Sequence, residues 1–423
     1  MKKRTYRAVE VKKVNQKRWA ESLAGKELVV GVDEGKEACF ASLRGEGRDV
    51  LMTVKWKSPW EDRQFVEFLG GLRCSSIEVA MEPSGSYGDP LRRLLWEAGI
   101  PVYRVSGKRS HDAAEVYDGV PSWHDAKSAG IVAKLHQDGA SEPWPFRSEA
   151  ERDLCAVVRT MELVDGQFRQ NVNRLEGQMA RHWPEVGAWL DLGCVTFLEL
   201  IVRFAGPEQI ALKAQEARET MRTVGGPLLK QEKIEAVVAS SAYTIGVPMT
   251  GQEAEELRDL AARTLDLYRR LEASRRKVER LGQQRPSIQA MSRAVGKGTA
   301  TVLVVEGGDP QHYESARQWE KTFGLNLKER SSGKHIGMLK ITKRGSGRAR
   351  KWLYLAALRL IREDQVVRTW YEKKVARDGG KKRKKAIVAV MRKLLRALWH
   401  VGRGETLDTS KLFDVERLGL CNA

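Results

Sequence analysis

Glu27-Leu28-Val29-Val30-Gly31-Val32-Asp33 is an apolar, Val-rich run that ends on a carboxylate. A short stretch that is hydrophobic at nearly every position is the pattern of a strand covered on both faces of a sheet. Downstream, residues 37–43 and 49–55 read as two further strands, with the turn Gly45-Glu46-Gly47-Arg48 between them. Three successive strands with tight connections predict an antiparallel meander. A helix over 61–72 follows, with Phe65, Phe68, Leu69 and Leu72 on one face. A second buried strand, Ser76-Ile77-Glu78-Val79-Ala80-Met81, runs into Glu82-Pro83-Ser84-Gly85. Helix 90–98, strand 101–105 and a helix from about 123 to 137 complete the region. A meander followed by alternating helices and parallel strands predicts an α/β domain with a mixed sheet. The stretch before it, residues 1–26, is basic and unpatterned and reads as an arm.

Beyond Pro145 the texture is helical. From 148 to 182, Val157, Met161, Val164, Phe168, Val172, Leu175 and Met179 step by threes and fours. A second run, 252–281, opens with the capping-box pair Thr250 and Glu253. In it Leu257, Thr264, Leu271 and Val278 repeat by sevens, as do Leu260, Leu267, Ser274 and Leu281. Sustained heptads predict a coiled coil. With a helical insert (about 189–243) between them, the two runs are expected to pair antiparallel and to offer a dimer contact. From 286 onward, Ala294-Val295-Gly296-Lys297-Gly298-Thr299-Ala300 resembles a helix–hairpin–helix turn. Helices over 348–361 and up to about His400 follow, and the tail from Thr406 reads as loosely ordered. The expected division is 1–26 arm, 27–147 α/β catalytic domain, 148–285 coiled coil with insert, 286–405 mainly helical domain and 406–423 tail.

The 423 residues carry 74 Lys and Arg against 55 Asp and Glu, a formal charge of +19. That field suits a polyanion, although ribosomal and membrane-surface proteins share the sign. Five cysteines are scattered without metal-ligand spacing, which points away from a zinc site or a disulfide framework and toward a reducing compartment. No apolar run approaches spanning length, and no apolar segment follows the basic N-terminus, so a cytoplasmic protein is expected, with no membrane partner.

Three acids, Asp33, Glu82 and Asp125, each sit at the polar end of an apolar element. Strand ends are where such a sheet places its site. Two or three carboxylates with substrate phosphate suffice for magnesium, which takes oxygen ligands and keeps several waters. Each acid also has a structural reading, as a turn residue, a strand cap and a helix N-cap. Together, the order strand-Asp, meander, strand-Glu, helix-Asp is that of an RNase H-like nuclease.

A second candidate is Lys328-Glu329-Arg330-Ser331-Ser332-Gly333-Lys334-His335, followed by Lys340-Ile341-Thr342-Lys343-Arg344-Gly345-Ser346-Gly347-Arg348. Cations flanking Ser332 would attract a phosphate and stabilise charge developing on it. Alone, the stretch reads first as a polar, solvated loop. Backbone contacts to nucleic acid are expected from Lys297, Arg330, Lys334, Lys340, Lys343, Arg344 and Arg348, and from the run Lys381, Lys382, Arg383, Lys384 and Lys385.

These residues meet in one family. Asp33 on its strand, Met81-Glu82-Pro83-Ser84-Gly85 and His124-Asp125-Ala126-Lys127-Ser128-Ala129 resemble the DEDD domain of IS110-type transposases of bacterial insertion sequences. Phe323-Gly324-Leu325, Ser331-Ser332-Gly333 and Ile341-Thr342-Lys343-Arg344-Gly345 resemble that family's C-terminal transposase domain, including its nucleophilic serine. The resemblance implies a RuvC-like domain with magnesium on Asp33, Glu82 and Asp125. It further implies a phosphoserine DNA intermediate at Ser332 and recombination of donor and target DNA guided by a structured bridge RNA. A homodimer assembling to a tetramer is the expected particle. The family ends its tetrad with two aspartates three positions apart, whereas Ser128 stands at the second here. Residues three apart share a helix face, so Ser128 is expected to point at the metal, with Asp112 or Asp118 as possible substitutes for the missing charge. Two other functions fit the same residues: a junction-resolving endonuclease with water as nucleophile, and a non-catalytic nucleic-acid-binding protein.

Overall fold

Strand β2 (Glu27–Glu34) lies inside a seven-stranded sheet. Its neighbours are β3 (Ala38–Arg44), antiparallel, and β5 (Ser76–Met81), parallel. Beyond β3 comes β4 (Val50–Lys57), antiparallel to it. Beyond β5 come β6 (Val102–Val105), parallel, and β7 (Ser141–Pro143), antiparallel. The sheet is therefore mixed, as the meander and the βα alternation predict. This computed structural model describes residues 7–47, 49–83, 85–117, 119, 124–329, 337 and 339–420. Two compact units, Met1–Ser148 and Glu149–Ala423, divide the chain.

Period-two alternation along β2 separates the two faces of the first unit. Leu28, Val30 and Val32 join Phe65, Leu69, Leu91 and Leu95 in one core. Gly31, on the other face, meets the helix Asp125–Gln137: a Cβ there would stand 2.3 Å from Ala129 O and from Ala133 N. Glycine at that position lets the helix backbone rest directly on the strand, the reason a glycine interrupts an otherwise branched run. A second core of Ala80, Val105, Ile131, Val132 and Leu135 fills this side.

Two expectations for the chain ends are corrected. The basic arm contributes an edge strand, β1 (Ala8–Glu10), parallel to β4, and Val11 and Leu23 are buried. A three-residue strand is too short to show periodicity. In the tail, Phe413 and Leu418 are buried in the C-terminal core, anchored by two apolar residues that also lack a period.

In the second unit the helices Glu149–His182 and Gly251–Gly282 pack along each other. Arg181 pairs with Glu253 near one end and Asp165 with Arg275 further along, so they run antiparallel. Leu257, Thr264, Leu271 and Val278 are all buried, while Leu260, Leu267 and Leu281 are half-buried. The Thr250–Glu253 capping box forms at the N-terminus of the second helix. The insert between them has its own core, built around Trp183, Phe197, Ile201 and Phe204. A C-terminal helical core holds Trp319, Phe323, Leu353 and Leu394.

Candidate functional site

The alternation that sends Val30 and Val32 to one core sends Gly31 and Asp33 to the face of the Asp125–Gln137 helix. On β5, Val79 and Met81 belong to the first core and Ala80 to the second, so Glu82 follows Ala80 toward that helix. Asp125 opens the helix, and His124 caps it through Nδ1, which accepts Lys127 N at 3.2 Å. Strand parity and a helix start thus deliver three carboxylates to one end of one face.

The electrostatics reflect this. Burial, then the charges of Asp125 and Glu82, push the Asp33 carboxyl up to about 6, against a hydrogen bond from the Ser128 hydroxyl that favours its ionised form. Ser128 is buried and faces Asp33, one helical turn from Asp125. Asp112 is bound instead by Lys108 Nζ at 2.9 Å, and Asp118 lies outside the described residues. Glu82 is held from behind by a glycine that sequence reasoning missed. A Cβ on Gly107 would stand 2.2 Å from Glu82 Oε1. Among the described residues no three His, Cys, Asp or Glu side chains close into a ligand sphere. The acids sense one another's charge without being drawn together. An all-oxygen donor set of this kind suits a hard divalent cation that retains water, and relief of mutual repulsion would draw the carboxylates onto it.

The serine segment, residues 330–336, lies outside the described residues together with Arg330, Ser331, Ser332 and Lys334. Its flanks are described. Leu327 and Lys328 pair antiparallel with Ile341 and Lys340. Below them, Thr342 N donates to Asn326 O at 2.9 Å and Thr342 Oγ1 to Asn326 Oδ1 at 2.6 Å. Gly345 at φ 148° brings its backbone so close that a Cβ would meet Thr322 O at 2.1 Å. Arg350, another residue the sequence did not mark, donates from Nη1 to Phe323 O at 2.9 Å and Gly345 O at 3.0 Å. The two flanks, Phe323–Lys328 and Lys340–Gly345, are thereby fastened side by side.

The expected nucleic-acid cations divide. Lys297, Lys340, Lys343, Arg344 and Lys381 through Lys385 are exposed. Arg348 is half-buried and donates to Glu306 Oε1 at 2.6 Å, while Ser346, the N-cap of the Gly347–Glu363 helix, donates to Glu306 Oε2 at 2.6 Å. Arg348 is thus a structural ion pair, because Glu306, distant in sequence, matches its charge. The helix Arg383–Val401 has Arg383, Lys384 and Lys385 in its first turn and no acid there. Cations oppose the helix dipole at that end, so their excess is unfavourable to the isolated fold and favourable to a polyanion. Gly296 (φ 82°) joins the helices Pro286–Val295 and Lys297–Gly307.

No helix among the described residues is long and apolar enough to cross a membrane. A transposase profile of the IS110 DEDD type matches residues 30–184, and one described as "Transposase IS116/IS110/IS902 family" matches residues 291–372. Together they span more than half the chain. A 43.6 kDa protein of insertion element IS110 from Streptomyces coelicolor is 23% identical, over 91% of this chain and 96% of its own length. A 42 kDa protein of insertion element IS900 from Mycobacterium paratuberculosis is 27% identical, over 87% and 94% respectively. Such domains generally use divalent metal ions, and their substrates are DNA. With both profiles in order, one over the acid-bearing sheet and one over the serine flanks, the chain belongs to the IS110 family of insertion-sequence transposases and is an enzyme of that class.

Proposed function

We propose that the protein is a bridge-RNA-guided DNA recombinase that joins donor and target DNA through a covalent phosphoserine intermediate. The observation that carries the reading is the convergence of Asp33, Glu82 and Asp125 on one face, marked by the raised Asp33 carboxyl. These three would hold magnesium, with Ser128 contributing a hydroxyl; bound there, the ion would neutralise charge on the scissile phosphate. Ser332 Oγ attacks phosphorus, forming a phosphoserine ester and releasing the strand's other hydroxyl end. A serine hydroxyl is a weak nucleophile until a base takes its proton or a metal activates it, and the leaving oxygen takes up a proton as the strand is released.

The exposed cations Lys297, Lys340, Lys343, Arg344 and Lys381 to Lys385 bind backbone phosphates of donor DNA, target DNA and RNA. Sequence choice is delegated to base pairing. Within this reading the residues fall into a RuvC-like domain (27–147), a coiled coil with insert (148–285) and a transposase domain (286–405) whose Gly296 turn is a helix–hairpin–helix phosphate contact. The coiled coil mediates a homodimer that assembles to a tetramer in the bacterial cytoplasm.

Asp33→Ala, Glu82→Ala and Asp125→Ala test the assignment. Each is expected to abolish strand exchange while leaving folding and RNA binding intact. Normal recombination by all three, with magnesium present, would remove the metal site. Protein freed of RNA should keep salt-sensitive DNA binding and lose target choice; sequence-specific recombination without RNA would remove the guide.

A further inference from the structure

We propose that the edge of the sheet bearing the acids also carries a binding site for unpaired DNA bases, with Trp60 and Tyr87 as its stacking surfaces. This rests on reading the acids as the strand-cleavage site. Strands β2, β4 and β5 all point the same way, since β3 runs antiparallel to both β2 and β4. The register sets Glu34 opposite Cys39 and Lys57 opposite Ala38, so β2 and β4 end at one edge, where Met81 also ends β5. Trp60 lies three residues past β4 and is 85% exposed; Tyr87 lies five past Glu82 and is 58% exposed. Gly88, next to Tyr87, rests so close to the Glu34 carboxylate that a Cβ would fall within 2.1 Å of both its oxygens and its Cδ. Tyr87 therefore borders the residue adjoining Asp33. The strand that leads into Trp60, β4, is two strand spacings from β2, about 10 Å.

Neither ring is a residue that failed to find the core. Trp56, Phe65 and Phe68 of the same region are buried, with Trp56 stacked on Phe65 at 3.9 Å. Hydrogen bonds close the Trp60 turn: Glu61 N donates to Lys57 O at 2.8 Å, Lys57 N to Glu61 Oε2 at 2.8 Å, and Lys12 Nζ to Glu61 Oε1 at 3.1 Å. A solvent-facing indole on such a turn offers a flat apolar surface. Lys36 and Lys57, both exposed, place cations on the same edge. Aromatic faces interleaved with cations are the composition that binds unpaired nucleotides irrespective of sequence, and strand exchange requires bases beside the break to leave their stack.

The test uses the full chain without divalent metal, so that binding is read apart from cleavage. The probes are a 12-nucleotide oligothymidine, its RNA counterpart and a blunt DNA duplex of the same length. Trp60→Ala and Tyr87→Ala should each weaken oligothymidine binding about 5- to 100-fold and duplex binding far less. Trp60→Phe and Tyr87→Phe should restore most of the loss, and Trp60→Leu should not. Photocrosslinking with 5-iododeoxyuridine in the oligonucleotide should map to the peptides holding Trp60 or Tyr87. Crosslinks confined to the second unit, equal losses on duplex and single strand, a preference of these rings for the RNA probe, or full rescue by leucine would each overturn the proposal. Normal cleavage by Asp33→Ala would remove the underlying site reading instead, whatever the rim binds.

Discussion

Gly107→Ala should separate catalysis from stability. The added Cβ would stand 2.2 Å from Glu82 Oε1, where ordinary contact begins at 3.4 Å, so the carboxylate must retreat by about 1 Å. A displacement of that size at a reacting centre costs on the order of a hundredfold in rate. Folding should not suffer, because the obstructing atom ends a flexible side chain. Gly107 is also the first residue of the helix Gly107–Asp112, where alanine restricts the unfolded chain and adds about 0.4–1 kcal/mol. The assay is the single-turnover rate of strand cleavage with magnesium supplied, beside urea denaturation of the same preparation. The expected outcome is cleavage slowed about a hundredfold in a protein as stable as the parent or slightly more so. In a Glu82→Ala background, Gly107→Ala should have no further effect, since the two act through one carboxylate. Wild-type cleavage by a folded Gly107→Ala protein would refute the placement of Glu82.

Gly31→Ala should lower stability by about 1–3 kcal/mol in chemical denaturation, because its Cβ would press on helix backbone, at 2.3 Å from Ala129 O and Ala133 N, and not on a movable side chain. Asp33 sets a pH dependence for the metal-free protein. Its folded-state pKa of about 6 lies above the ordinary carboxylate value, so the native state holds a proton that the unfolded chain has released. Stability from that proton is fully present below about pH 4 and lost as pH rises through about 6; denaturation in chelator across this window should show the fall, and Asp33→Asn should flatten it. Arg350→Ala should cost about 1–2 kcal/mol in thermal or urea melts, from lost charge-assisted hydrogen bonds to Phe323 O and Gly345 O.

Reading the fold from sequence succeeded where periodicity was long or complete. The heptad Leu257, Thr264, Leu271 and Val278 is buried throughout, because a repeat sustained over about six turns leaves one helix face no alternative. The doubly covered strand at Glu27–Glu34 was legible for a similar reason: the unbroken apolar run Leu28 to Val32 leaves its middle without an exposed position. Beyond those runs local pattern failed, as with β1 and the buried Phe413 and Leu418, where two or three residues are held by tertiary contact alone. At the acid site, residue types and order pointed to Asp33, Glu82 and Asp125, and three-residue spacing put Ser128 with Asp125. The role of Gly107 was invisible, since it depends on a carboxylate 25 positions away in sequence meeting it across β5 and β6. The ion pair of Arg348 was invisible for the same reason: its partner Glu306 comes from another helix, and a charge run gives no sign of which cations are already matched.

The central claim is a covalent serine–DNA intermediate formed with the help of the acid cluster, and trapping tests it most directly. DNA nicked beside the cleavage point lets the released fragment diffuse away and leaves any intermediate stranded. With magnesium and the guide RNA, the parent protein should yield a denaturation-resistant protein–DNA species whose phosphate maps by peptide analysis to Ser332. Ser332→Ala and Asp33→Ala should yield none, with stability of the former changed by no more than about half a kcal/mol. An adduct on Ser331 would move the nucleophile by one residue. Cleavage that leaves a free 5′-phosphate and no adduct would contradict the account and make the protein a nuclease that uses water.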